Sequence, residues 1–111
     1  MSERVDAHVA AFNDTVASGE WDAFSERFAH DATLAFEGVP VGPFTGRPAI
    51  AAAYAAQPPT DTMAVTAVES GEDQDRQQDT VRFAWSAGGT GTMRVTWAGD
   101  LVDAMVVSFG P

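Results

Sequence analysis

The side chains able to do acid–base chemistry from an apolar setting are few in this sequence, and Asp103 comes first among them. It lies in LVDAMVVSF, residues 101–109, in phase with Leu101, Met105, Val107 and Phe109. Residues two apart on a strand share a face. A carboxylate buried among such neighbours has its pKa raised towards neutrality, which suits a general acid or base. The same spacing suits an acid at a sheet edge or subunit interface, held by an arginine such as Arg82 or Arg94. Glu37 follows a short apolar strand and borders a loop. It reads either as a base reaching inward or as a solvated acid at a strand end. Arg94 alternates with Met93, Val95 and Trp97 and could orient a carboxylate or enolate; on an exposed strand face it would instead pair or snorkel. His8 and His30 are the two histidines, with no spacing that suggests a metal site. No G-x-S-x-G elbow occurs. Gly88-Gly89-Thr90-Gly91 joins two strand patterns, whereas a phosphate loop leads from strand to helix.

Positioning these groups falls to elements that the apolar periodicity outlines. Val5, Val9, Phe12 and Val16 form one helical stripe, which predicts a helix from about Glu3 to Ser18, with Ser2 as N-cap and Gly19 beyond its end. Trp21, Phe24 and Phe28 recur at helical spacing, so a second helix is expected to run to about Ala29. Residues 32–36 alternate as a strand, with Leu34 and Phe36 on one face. Two glycines and two prolines make residues 38–43 a loop. Pro48 fits the first turn of a third helix, which carries Ile50 and Tyr54 and stops at Gln57-Pro58-Pro59.

The second half reads as strands. Residues 62–70 are rich in β-formers, and the polar SGEDQDRQQD, residues 70–79, reads as a solvated hairpin loop. Residues 80–87 and 90–97 alternate on either side of a Gly88-Gly89 turn. Residues 98–100 turn again before the last strand, 101–109. Helices first and an antiparallel meander after them argue an α+β domain spanning residues 1–111. Such a sheet needs its apolar face covered, and only these helices can cover it.

The 111 residues carry sixteen acids against six bases, all arginines, for a net charge of -10. So acidic a chain repels phosphate backbones and anionic membrane surfaces, which argues against nucleic-acid and membrane partners. No run approaches the roughly 18 apolar residues of a membrane span, and the charged MSERVDAHV lacks the apolar core of a secretory signal. The absence of cysteine removes disulfides, thiolate metal sites and cysteine nucleophiles. A cytoplasmic protein without cofactor or metal is expected.

In order and spacing, Phe12-Asn13, Gly19-Glu20-Trp21, Phe28, Asp31-Ala32-Thr33, Gly46-Arg47-Pro48-Ala49-Ile50, Tyr54 and the closing Gly99-Asp100-Leu101-Val102 resemble the SnoaL-like members of the nuclear transport factor 2-like (NTF2-like) superfamily. The resemblance covers nearly the whole chain. It implies a cystatin-like cone, three helices packed on a curved, mostly antiparallel sheet with a pocket at its open end. It also implies a homodimer through the outer sheet face. A pocket of this kind would gather Phe12, Trp21, Phe36, Tyr54 and Trp85, with Arg94 as a polar contact, around a small apolar or cyclic molecule.

The family's catalytic positions transfer poorly. The ketosteroid isomerase tyrosine on the first helix matches Phe12, and its aspartate base matches Phe36, one step before Glu37. The cyclase aspartate on the last strand matches Met105 or Val106, near Asp103. Fold alone does not give function. Three readings follow: a ligand-binding pocket protein, an isomerase, cyclase or hydratase using Asp103 or Glu37, and a non-catalytic dimeric accessory domain.

Overall fold

The protein is described by a computed structural model covering residues 3–73 and 76–109. The elements run α1 (Glu3–Ser18), α2 (Trp21–Ser25), β1 (Phe28–Glu37), β2 (Phe44–Thr45), α3 (Arg47–Ala56), β3 (Met63–Asp73), β4 (Arg76–Trp85), β5 (Thr90–Ala98) and β6 (Leu101–Phe109). The strands form one sheet in the order β2-β1-β6-β5-β4-β3. The β1–β6 pair is parallel and every other pair antiparallel. This is the expected α+β arrangement. The stripe of α1 buries Val5, Val9 and Phe12, and α3 buries Ile50 and Ala51. They cover the sheet face that carries Leu34, Val81, Phe83, Met93, Val95, Met105 and Val107, which share one continuous core with Val5, Val9, Phe12 and Ile50.

Three irregularities bend the sheet. Residues 29–32 interrupt the pairing of β1 with β6, Thr66 is extra in β3 opposite β4, and Asp103 is extra in β6 opposite β5. An extra residue kinks its strand and increases the local twist, so the sheet wraps towards the helices.

Polar ties fix the helices to this surface. The Asn13 amide grips the backbone of Met63 at both ends: its Nδ2 donates to the carbonyl at 3.0 Å, and its Oδ1 accepts from the N–H at 2.9 Å. At the start of α1, Arg4 donates to the Gly99 carbonyl at 2.9 Å and to the Gln77 side chain, with its guanidinium 4.9 Å from the Trp97 ring centre. Arg47 Nε donates to the Phe28 carbonyl at 2.7 Å, tying α3 to β1.

The structure departs from the sequence expectations in three places. The second helix stops at Ser25 rather than near Ala29, and Phe28 already begins β1. The Arg27 carbonyl accepts from Val102 N–H at 2.9 Å, so sheet pairing captures the chain one turn early. Residues 70–73 and 76–79 are paired strand rather than loop. A ladder is made of backbone, and polar side chains do not prevent it; Asp79 is even buried, accepting from Trp97 Nε1 at 2.9 Å. Gln74 and Asp75, at the centre of that expected loop, lie outside the described residues, as does Ser2. Finally, Asp103 is out of phase with Met105 and Val107, because it is the bulged residue of β6.

Candidate ligand cavity

Between the helices and the concave sheet face lies a cavity of about 370 Å³. The stripe of α1 brings His8 and Phe12 to it, one turn apart. Tyr54 and Gln57 come from the end of α3, and Phe36 and Phe44 from β1 and β2. Trp85 closes one side, and Met63, Met93 and Met105 reach in from β3, β5 and β6. No Asp, Glu, Lys or Arg lines it among the described residues. Val39, Val41 and Phe109 also line it. These three are, among the described residues, the large apolar side chains that stay 41–50% exposed, so apolar surface continues out to the rim.

The wall is built of interlocked rings. Phe12 meets Tyr54 edge-on at 6.5 Å and tilts against Trp85 at 6.2 Å. Phe36 stacks on Phe109 at 6.1 Å and turns its edge to Phe44 at 6.5 Å. Such offset and edge contacts suit the ring quadrupoles and hold the wall's shape. The methionines are the yielding part of the lining, because their unbranched thioethers adopt many shapes.

Two titratable groups reach this surface among the described residues, and both stay neutral. His8 is 3% exposed, with ring centres 5.1 Å from Phe24 and 5.7 Å from Phe28. Its Nδ1 is buried without a hydrogen-bond partner. Burial, with a smaller contribution from the Arg27 charge, lowers its pKa from 6.5 to about 3. Burial likewise raises the Tyr54 phenol well above its ordinary value.

Of the residues singled out in the sequence, Phe12, Phe36, Tyr54 and Trp85 come together on this wall. Trp21 stands behind it, stacked on Tyr54 at 4.7 Å and 10°. Arg94, Glu37 and Asp103 lie outside the lining. Glu37 accepts from Ser108 Oγ at 2.7 Å and stands 3.7 Å from Arg94. It follows Phe36 without a bulge, so its side chain takes the opposite face. Asp103 pairs with Arg76 at 2.6 Å, rather than with Arg82 or Arg94. The sequence reading passed over the cavity roles of His8 and the methionines. The available signal was Met63, Met93 and Met105 falling on inward positions of three strands.

No protein-family model and no curated protein matches the chain. Solved structures do. A SnoaL-like protein from Burkholderia thailandensis superposes with a TM-score of 0.74 at 13% identity, over 100% of this chain and 98% of that one. An NTF2-like protein with a cystatin-like fold from Novosphingobium aromaticivorans gives 0.67 at 17%, over 96% and 80%. The fold is NTF2-like. A Catenulispora acidiphila protein in complex with S-DNPA gives 0.68 at 17% identity, over 96% and 90% of the two chains. Phe12 faces the cavity and has no proton to offer. Among the described residues no helix is long and apolar enough to cross a membrane.

Proposed function

We propose that the chain is a SnoaL-like binding protein for a small, uncharged, apolar or cyclic molecule, held in the cavity between the helices and the sheet. The observation that carries this reading is a hollow of about 370 Å³ whose lining holds no charged side chain among the described residues. That volume is in the range of small-molecule sites. A fold neighbour holding a small molecule supports it. The reading gives no chemistry to Asp103 or Glu37. Asp103 would have to leave Arg76, and Glu37 would have to cross to the other face of β1.

The test is a fluorescence titration with N-phenyl-1-naphthylamine, an uncharged probe that brightens in apolar surroundings. We expect saturable binding at micromolar probe. Met105→Trp places a larger side chain into the hollow and should weaken binding by about ten-fold, or about 1.4 kcal/mol, with thermal stability retained. Unsaturable binding, or a Met105→Trp variant that binds unchanged, would refute the reading.

We also propose a homodimer through the outer sheet face, where half-buried Ala35, Ala104 and Val106 lie side by side on β1 and β6. Light scattering at micromolar concentration should give twice the mass of the chain; the mass of a single chain would exclude the dimer.

A further inference from the structure

We propose that His8 is the polar recognition point of the cavity and takes the hydroxyl group of a neutral, ring-shaped ligand. This rests on the binding role proposed above and adds the ligand's chemistry to it.

The placement of His8 is the starting observation. It lies on the buried stripe of α1, lines the cavity one turn from Phe12, and is wedged between the rings of Phe24 and Phe28. Those rings give it no hydrogen bond, and Nδ1 has no partner. A buried polar atom without a partner costs stability, and native structures leave few of them. Leucine or phenylalanine would fit an apolar wall without that cost. Nδ1 itself is closed off from the hollow, so a ligand in the cavity meets the remaining edge of the imidazole, and a hydrogen bond made there is what an apolar side chain at this position could not give.

The chemistry of the partner follows from the ring. A neutral imidazole offers one donor and one acceptor, and the tautomer decides which nitrogen is which. A hydroxyl both donates and accepts, so it matches whichever nitrogen it reaches. A carboxylate fares worse, because entering the cavity strips its hydration and no cation among the described lining residues compensates it. The aromatic wall of Phe12, Phe36, Tyr54 and Trp85 suits a flat ring body behind that hydroxyl. The preferred class is therefore a phenol or cyclic alcohol, above the bare hydrocarbon and well above the matching acid.

Three ligands with one ring system separate the terms: naphthalene, 2-naphthol and 2-naphthoate, titrated at neutral pH into the whole protein. Wild type should bind 2-naphthol about five-fold more tightly than naphthalene, and 2-naphthoate on the order of a hundred-fold more weakly than 2-naphthol. His8→Leu should keep naphthalene binding and lose the preference for 2-naphthol. Its naphthalene affinity shows that the cavity is intact; if this variant does not fold, His8→Phe, which keeps the ring shape, carries the same expectation. The assignment is overturned if 2-naphthol keeps its advantage in the variant, or if 2-naphthoate binds wild type as well as 2-naphthol. If neither 2-naphthol nor naphthalene binds, the cavity-binding role falls and takes this one with it.

Discussion

Replacing His8 with leucine should flatten the acid sensitivity of the fold between pH 6.5 and about pH 3. In the native protein, burial and the Arg27 charge lower the imidazole pKa to about 3, against 6.5 for an ordinary histidine. Between those values the unfolded chain binds a proton at this site and the folded chain does not. Stability then falls as pH falls, by about 1.4 kcal/mol for each pH unit below 6.5, until the folded imidazole itself protonates. Above pH 6.5 the group is neutral in both states and contributes no slope. Urea midpoints of wild type and His8→Leu, measured from neutral pH down to about pH 4.5, check this. Carboxylates titrate alike in both proteins, so the difference between the two curves belongs to His8. It should widen by roughly 2 kcal/mol or more over that span. Parallel curves would mean that the imidazole takes up its proton in the folded state and that the floor of the cavity is wet.

How much of this was legible in the sequence depends on which forces leave a periodic trace. The α1 stripe is clear because burial on one helix face forces a repeat of three and four, and the structure buries Val5, Val9 and Phe12 as expected. That periodicity marks His8 as inward but is silent on whether it meets packed side chains or a void. Both look apolar from the helix. Phe12, Phe36, Tyr54 and Trp85 were within reach because large rings at inward positions of separate elements converge wherever a sheet wraps a helix.

Other features leave no such trace. The bulge in β6 adds one residue between Val102 and Ala104, opposite the Thr96–Trp97 step of β5. A strict alternation carried through Asp103 therefore points it the wrong way. The polar hairpin arms at residues 70–73 and 76–79 extend as strand because backbone pairing continues past the apolar part of the ladder. Hydrophobic patterning reads side chains alone. It also gives no warning that Asp79 turns inward to meet Trp97 Nε1, a contact between strands that only the register reveals.

Phe28→Ala should be among the most damaging single changes, at about 3–5 kcal/mol. The sequence places Phe28 at the end of a helical stripe with Trp21 and Phe24. In the structure it opens β1, with its backbone in register with Val102, yet its ring still meets Phe24 at 5.8 Å and His8 at 5.7 Å. One fully buried side chain thus joins the helical layer to the sheet, which is why both readings of its spacing contain part of the truth. Its carbonyl also takes the Arg47 bond that fixes α3. Truncation would open a void beneath the imidazole where the chain passes from helix to strand, and the backbone ties on either side would resist its collapse. The loss is a large part of the 5–15 kcal/mol typical of a domain. Phe109→Ala is the control: Phe109 is 50% exposed at the cavity rim and should cost under about 1 kcal/mol. Denaturant unfolding of both variants, with slopes compared to wild type, measures the contrast. If the two substitutions cost the same, Phe28 is not the joint between the layers, and the helices are held to the sheet elsewhere.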